Sequence, residues 1–234
     1  SHDLLEHCLR AVEHAERLAA RPTGLPGGER LAAHLASRHE AGVTRHALLK
    51  WAAFFHDVAK PATKSEEPSG RVRFIGHDTA GGVRARRMLA ALRVGKKTAR
   101  AAERLVAGHM RLFGLAHQER PTARARLRYL KNFGDETPEA LLLSLADEKA
   151  TGPRPPSLRR LRAVAAELLA LYWASLDGPP AEPLLRGRDL REELGLAEGK
   201  KIGEILRAVG EAESAGEIST REEAMTLARK LAQE

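Results

Sequence analysis

The sequence has few of the residues that build disulfide frameworks, aromatic platforms or membrane spans. Its 234 residues include one cysteine, Cys8, which excludes an intrachain disulfide and a zinc site made of several cysteines. This scarcity is typical of a reducing compartment, and we expect the cytoplasm. Aromatic residues make up 4% of the chain, and no run approaches the roughly 18 consecutive apolar residues of a membrane span. We therefore expect a soluble chain.

Alanine, leucine, arginine and glutamate dominate the rest of the chain, and these residues lose little side-chain freedom in a helix. Hydrophobic residues make up 43% of the sequence, which is enough for a folded core. Lysine and arginine outnumber aspartate and glutamate by 39 to 31, so the formal net charge is +8. This composition predicts an all-α protein and favours polyanionic partners. RNA, DNA and acidic membrane surfaces all remain open at this point.

The spacing of the apolar residues predicts a succession of helices. They cover residues 4–18, 30–38, 45–55, 79–92, 97–113, 122–132, 138–149, 158–176, 202–215 and 220–231. The segment 45–55 is apolar nearly all round, so we expect this helix to be central and buried. Residues 71–76 alternate between polar and apolar, which indicates a short extended piece or a hairpin. The proline-rich segment 177–183 predicts a linker between a first domain, residues 1–176, and a smaller helical unit, residues 184–234.

The dipeptide His56-Asp57 is the first candidate for chemistry. Three His-Asp pairs occur in the chain, so the dipeptide alone is a weak signal. This pair differs from the others because it closes the most apolar helix, where an imidazole beside a carboxylate is costly to bury without a partner. The partner is either a metal ion or another polar group in a hydrogen-bonded core, and the dipeptide does not decide between them.

Other imidazoles and carboxylates are predicted to point into the same core. His109 lies in an apolar helical stripe, Asp147 follows the apolar run 141–146, and His7 lies at the edge of the stripe of the first helix. Individually, each is more often a satisfied core or boundary residue. Together, their nitrogen and oxygen atoms suit a divalent transition metal better than calcium.

Several segments carry a resemblance to a known family. They are EH (residues 6–7), FHDVAKPAT (55–63), RFIGHD (73–78), GHMR (108–111) and LAD (145–147). The order of His and Asp in them resembles the metal-binding pattern of the HD superfamily of metal-dependent phosphohydrolases, an all-helical fold. With the tail segments PLLRGRDL (183–190), GKKIGEIL (199–206) and AGEISTREEA (215–224), they look like the HD-type C-terminal region of bacterial tRNA nucleotidyltransferases, the CCA-adding enzymes related to poly(A) polymerases.

The resemblance implies a set of metal ligands and two cations for substrate. The implied core ligands are His7, His56, Asp57 and Asp147, with His77 and His109 completing a second metal position and Asp57 bridging. The implied cofactor is a divalent transition metal, nickel, manganese, cobalt or iron, bound as two ions. Lys60 and Arg111 are expected on the oxygens of a substrate phosphate, with solvated surface cations as the alternative.

The remaining histidines are expected at the surface or at its boundary. They are His2, His14, His34, His39, His46 and His117, of which His14 is a reserve ligand.

The function that the resemblance implies is hydrolysis of phosphodiester or phosphomonoester bonds by an HD-domain helical bundle with a small helical C-terminal subdomain. The expected substrates are nucleotides or RNA ends such as 2′,3′-cyclic phosphates, and His56, Asp57 and Lys60 form the catalytic group. Basic runs at residues 84–87, 96–104, 124–131 and 159–162 are either solvated helix faces or an RNA contact. We expect contact with tRNA or another RNA and no membrane partner.

Two departures from the family qualify this prediction. Val58-Ala59 stands where the family usually has Ile-Gly, a conservative change that should not disturb metal ligation. The Gly-rich strand and paired aspartates of a nucleotidyltransferase head do not occur in these 234 residues. We therefore expect no nucleotide addition, and either a C-terminal part of a larger enzyme or a stand-alone relative. The alternative function is a non-catalytic RNA-binding module with a relic HD site.

Overall fold

The computed structural model describes residues 3–22, 24–152, 157–178, 183–214 and 216–233. Helices dominate this part of the chain, which confirms the predicted all-α class. Contacts divide the described residues into two compact units, one within residues 1–119 and 132–174 and one within residues 120–131 and 175–234. The domain boundaries drawn from the sequence stay a prediction, and residues 179–182 of the predicted linker lie outside the described residues.

The secondary structure consists of helices joined by short turns and two small hairpins. The helices are α1 (Leu4–Ala20), α2 (Gly28–Ala36), α3 (Arg45–Phe55), α4 (His77–Ala91), α5 (Lys96–Gly108), α6 (Arg111–Ala116), α7 (Ala123–Phe133), α8 (Thr137–Thr151), α9 (Ser157–Asp177), α10 (Gly187–Leu194), α11 (Lys200–Ser214) and α12 (Arg221–Gln233). The antiparallel strands are β1 (Arg38–Glu40), β2 (Val43–Thr44), β3 (Lys64–Glu66) and β4 (Val72–Phe74), paired β1 with β2 and β3 with β4. The hairpin predicted near residues 71–76 is thereby confirmed. No described helix is both long and apolar enough to cross a membrane.

Helices α3 and α8 form the centre of the first unit. Helix α3 begins where the Thr44 hydroxyl accepts a hydrogen bond from the Ala47 N–H at 3.2 Å, and it buries Leu48, Leu49 and Phe55. Helix α8 is buried along residues 137–147. The prediction that the helix at residues 45–55 is central is confirmed. His56 follows α3 directly and Asp147 lies on α8, so both polar groups are set into the apolar core.

The prediction of one helix over residues 97–113 is wrong. Helix α5 ends at Gly108, the chain turns at His109 and Met110, and α6 follows. The His109 N–H bonds the carbonyl of Val106, three residues back, at 3.4 Å, which tightens the last turn. A side chain at Gly108 would collide with the Phe133 ring. The break therefore places His109 at a helix end, where its ring can turn into the core.

His39 lies in the core, so its predicted place at the surface or boundary is wrong. It is 3% exposed, and its ring nitrogens lie 3.2 Å from the Thr98 hydroxyl and 3.4 Å from a Glu136 carboxylate oxygen. The residue belongs to β1, which begins at Arg38, the last residue of the second helix predicted over residues 30–38. That helix ends at Ala36. Strands of two or three residues are too short for a periodic signal, so the hairpin was missed.

The second unit has an apolar core of its own. Its buried residues are Leu185, Leu190, Ile202, Ile205, Val209, Ala224, Met225 and Ala228. Helix α10 was not predicted. Its first turn is held by Asp189, whose carboxylate accepts from the Arg186 N–H at 2.5 Å and from Arg221 Nη2 at 3.2 Å.

Candidate metal centre

One carboxylate, that of Asp57, faces two pairs of imidazoles. Its Oδ2 lies 3.4 Å from His7 Nε2 and 3.3 Å from His56 Nε2. Its Oδ1 lies 3.5 Å from His77 Nε2 and 3.9 Å from His109 Nε2. The donor atoms of each pair, together with Asp57, lie within 4.8 Å of one another. The two groups share Asp57 and are otherwise separate.

Asp147 adds a second carboxylate on the side of His7 and His56. Its Oδ1 lies 3.1 Å from His7 Nε2 and 3.4 Å from His56 Nε2, and the two Nε2 atoms are 3.1 Å apart. The structure thus brings all six predicted ligands together, from α1, α8 and the ends of α3, α4 and α5. Their assignment as metal ligands stays a prediction.

Backbone carbonyls orient three of the four imidazoles. Each ring donates its Nδ1–H to a carbonyl three residues earlier in the chain. The pairs are His56 with Ala53 (2.8 Å), His77 with Phe74 (2.7 Å) and His109 with Val106 (2.7 Å). Because Nδ1 is engaged with a carbonyl, Nε2 is the ring nitrogen that faces Asp57 and is available to a metal ion. Metal-binding histidines are commonly held in this way.

The cluster passes a test of fit for a metal ion. Asp57 Oδ1 and His77 Nε2 are buried and make no hydrogen bond with any described residue, although they are only 3.5 Å apart. Buried polar atoms without partners are costly, and a cation between them would satisfy both. The donors are imidazole nitrogens and carboxylate oxygens, the set that suits divalent transition metals. The residues present can therefore hold a divalent metal.

The charges of the cluster are strongly coupled. Contacts with Asp147 and Asp57 raise the pKa of His7. Burial acts to lower the pKa of His56, but contacts with the same two carboxylates raise it well above its usual value. Burial favours the neutral form of both carboxyls, yet their contacts with His56 and His7 hold the pKa of Asp57 and of Asp147 below the usual range. Burial lowers the pKa of His109 to about 4.

A cleft of about 510 Å³ opens onto the cluster. The residues that line it include His7, the buried Asp57, Lys60, Lys64 and Phe74. Lys60 Nζ lies 2.5 Å from Asp57 Oδ2. The sequence analysis singled out Lys60 and missed the other two residues, although Lys64 directly follows the segment 55–63 that carries the resemblance. The cleft is thus rimmed by two ammonium groups and one aromatic ring.

Two other sequence candidates lie elsewhere. Arg111 is exposed at the first residue of α6 and is not among the residues that line the cleft. His14 is half-buried on α1, where burial and the charge of Lys149 lower its pKa, and it belongs to neither ligand group among the described residues. This geometry does not support His14 as an alternative metal ligand or Arg111 as a phosphate-binding residue.

This arrangement, a helical bundle around a buried His-Asp cluster, defines the class of the protein. Residues 4–152 match the HD domain family, and the chain belongs to it. The chain is 36% identical over 193 residues to the A-adding tRNA nucleotidyltransferase of Deinococcus radiodurans, covering 80% of this chain and 42% of that protein. It is 37% identical over 175 residues to the CC-adding tRNA nucleotidyltransferase of Thermus thermophilus, covering 74% of this chain and 37% of that protein. The chain thus spans about two-fifths of the length of these curated relatives.

Proposed function

We propose that the chain is a metal-dependent phosphohydrolase that acts on phosphodiesters or phosphomonoesters of nucleotides or RNA ends, 2′,3′-cyclic phosphates included. The observation that carries the proposal is Asp57, whose two carboxylate oxygens face different pairs of imidazoles. A shared carboxylate between two nitrogen-rich groups is a donor arrangement that suits two transition metal ions. HD domains are in general metal-dependent hydrolases, which supports the same reading.

In this proposal His7, His56, Asp147 and one oxygen of Asp57 hold one ion, nickel, manganese, cobalt or iron. His77, His109 and the other oxygen of Asp57 hold a second. Two such ions, when bound, would lower the pKa of a coordinated water and would stabilise negative charge on a phosphoryl oxygen. The carbonyl-bound Nδ1 atoms keep His56, His77 and His109 in one orientation, so the protein supplies a preorganised set of donors.

Lys60 is proposed to bind the substrate phosphate. Its ammonium group lines the cleft, and 31% of its side chain is exposed. It contacts Asp57 Oδ2, the oxygen that faces His7 and His56. A lysine in this position can form a charge-assisted hydrogen bond with a phosphate oxygen and so fix the ester beside the carboxylate. Because Arg111 does not line the cleft, the phosphate contact is assigned to Lys60.

The test is elemental analysis of the purified protein combined with a hydrolysis screen. Hydrolysis of bis-p-nitrophenyl phosphate and of 2′,3′-cyclic AMP should appear with nickel, manganese or cobalt and disappear with a chelator. Asp57→Ala should lose bound metal and activity together, while Asp78→Ala, which removes the carboxylate of another His-Asp pair, should lose neither. Full metal content and unchanged activity in Asp57→Ala would show that the ligand assignment is wrong.

The second candidate function is RNA contact by the second unit. Four cations, Arg124, Arg128, Lys131 and Arg207, line a groove of about 470 Å³ within this unit, and Glu211 is the acidic residue that lines it with them. Neither Arg128 nor Arg207 forms an ion pair with a described acidic residue. The relatives are named as tRNA nucleotidyltransferases, so we propose tRNA or a similar RNA as the partner and the cytoplasm as the location. Binding of RNA without any hydrolysis would favour a binding module over the hydrolase.

A further inference from the structure

The hairpin β3–β4 joins the two sides of the metal centre. The 3-10 helix Lys60–Thr63 follows Asp57 and leads directly into β3. Strand β4 leads through Gly76, which has a φ of +75°, into His77 at the first residue of α4. The Phe74 carbonyl also accepts the Nδ1–H of His77 at 2.7 Å. The base of the hairpin is therefore tied to a ligand of the second group and follows closely on the central carboxylate.

Lys64 and Phe74 are direct partners at the base of this hairpin. The register pairs Lys64 with Phe74, so their side chains leave the same face of the two strands. Both line the cleft, as do Asp57 and His7. Lys60 Nζ lies 5.8 Å from the centroid of the Phe74 ring. An aromatic ring and two lysines thus line the cleft beside the metal centre.

Among the described residues, Lys64 has no ion-pair partner and Phe74 has no aromatic partner. Lys64 is exposed and forms no ion pair with a described carboxylate, whereas Lys60 contacts Asp57. Phe74 is half-buried and packs against no described aromatic ring. A free ammonium group binds phosphate, and an accessible aromatic face binds the face of a nucleobase.

We infer that Lys64 and Phe74 are specificity residues that select phosphorylated nucleosides, with Lys64 on the phosphate and the Phe74 ring stacked on the base. The inference rests on the proposed function for the location of the phosphate. It goes further because it assigns the recognition of the base to one ring and predicts discrimination against phosphates that carry no base.

Calorimetric titration of the metal-loaded protein tests the inference without a catalytic readout. The probes are adenosine 5′-phosphorothioate, a slowly hydrolysed nucleoside phosphate, and inorganic thiophosphate, which has no base. Phe74→Leu should weaken binding of the nucleoside probe about 10-fold and leave thiophosphate binding unchanged. Phe74→Trp keeps an aromatic ring and should retain the affinity for the nucleoside probe within about threefold.

Lys64→Gln should weaken binding of both probes about fivefold, since it removes one partly solvated charge contact. Arg71→Gln makes the same change of charge on the same hairpin outside the cleft lining, and it should affect neither probe. Equal affinity of Phe74→Leu and the parent chain for the nucleoside probe would overturn the inference, whether or not the protein hydrolyses phosphoesters. Base-dependent binding that is lost in Phe74→Leu, in a protein without metal-dependent hydrolysis, would support the inference and refute the proposed function instead.

Discussion

Lys60 Nζ lies 2.5 Å from Asp57 Oδ2, the carboxylate oxygen that also faces His7 and His56. The two residues are three positions apart, so a single turn of chain after α3 carries both the central carboxylate and an ammonium group. The local structure thus holds the partly exposed ammonium group of Lys60 in contact with the buried carboxylate of Asp57. The ammonium group is the part of this pair that can reach a substrate from the cleft.

Lys60→Gln should reduce kcat/KM for a generic phosphodiester about 10- to 100-fold, which corresponds to the loss of one charge-assisted hydrogen bond of about 1.5–3 kcal/mol. Metal content should not fall, because the change removes a cation that stands beside Asp57. Steady-state kinetics and elemental analysis of the same preparation measure both quantities. Lys50→Gln, which breaks a surface pair with Glu16, is the matched control and should leave the rate unchanged. A loss of metal in Lys60→Gln would assign the lysine a structural role.

The two ligand groups predict different metal stoichiometries for different variants. His109→Gln should leave about one ion per chain, because His7, His56, Asp147 and Asp57 Oδ2 all remain around the first position. Asp57→Ala should reduce the content to near zero, since it removes the oxygens that both groups share. Elemental analysis after gel filtration gives the ratio, and circular dichroism checks that the helical content is retained. Two ions per chain in His109→Gln would contradict the second position.

The central helix illustrates what the sequence predicts well. Residues 45–55 are apolar nearly all round, and the structure gives a helix with the same bounds, α3, which buries Leu48, Leu49, Ala52, Ala53 and Phe55. The six implied ligands meet in one cluster, since each lies on an inward face or at the end of a buried helix. Helical periodicity indicates that His109 and Asp147 face the core and that His7 lies at its edge, whereas His77 entered the set only through the resemblance to the HD superfamily.

Features that depend on distant partners could not be predicted in this way. Periodicity runs through His109 without a change, so it does not show that α5 ends there against Phe133. His39 can be buried because its ring nitrogens form hydrogen bonds with Thr98 and Glu136. These partners are 59 and 97 residues away in the sequence. The pairing of Lys64 with Phe74 likewise requires the strand register, which a three-residue alternation does not determine.

The metal-free protein should be most stable near pH 6.5. Between about pH 4 and 6.5 the unfolded chain binds a proton that His109 does not bind in the folded state, so stability rises with pH. Above pH 6.5 the raised pKa values of His7 and His56 keep protons on the folded protein that the unfolded chain has lost, so stability falls with pH. Each such group contributes at most about 1.4 kcal/mol per pH unit.

Thermal unfolding of chelator-treated protein from pH 4 to pH 9 measures both the rise of stability below pH 6.5 (the acid limb) and its fall above pH 6.5 (the alkaline limb). His7→Gln should flatten the alkaline limb and preserve the acid limb, because it removes one of the histidines whose pKa is raised. Saturating metal should reverse the alkaline slope, since ions compete with protons for the same nitrogens. An alkaline limb that is equally steep in His7→Gln would show that other groups cause it.

Two neighbouring glycines of α4 should respond differently to alanine. A Cβ at Gly82 would lie 2.6 Å from the Glu103 carbonyl oxygen on α5, whereas a Cβ at Gly81 has its nearest neighbour, Val106 Cγ1, at 3.2 Å. Alanine gains about 1 kcal/mol of helix propensity at either position, and backbone overlap costs about 1–3 kcal/mol. Gly81→Ala should therefore stay within about 0.5 kcal/mol of the parent chain, and Gly82→Ala should be destabilised by up to about 2 kcal/mol, which is the overlap cost less the gain in propensity. Urea unfolding of both variants gives their free energies of unfolding, provided that their m-values equal that of the parent chain. Equal free energies for the two variants would contradict the prediction.

The cationic groove of the second unit predicts how RNA binding depends on salt. Arg124 pairs with Glu217 at 3.2 Å and Lys131 with Glu211 at 3.0 Å, which leaves Arg128 and Arg207 as the groove cations without an ion pair among the described residues. Two phosphate contacts contribute a slope of about 1.4 to 1.8 to the dependence of log K on log salt concentration. The double variant Arg128→Gln/Arg207→Gln should lose that part of the slope.

Filter binding or fluorescence anisotropy with tRNA at several salt concentrations measures the slope directly. The double variant should also bind about 10-fold more weakly at low salt, because each lost phosphate contact removes released counterions as well as direct attraction. Arg229→Gln/Lys230→Gln makes the same change of charge on α12, outside the groove lining. If both double variants lower the slope equally, the effect follows from net charge alone, and the groove has no specific role in RNA binding.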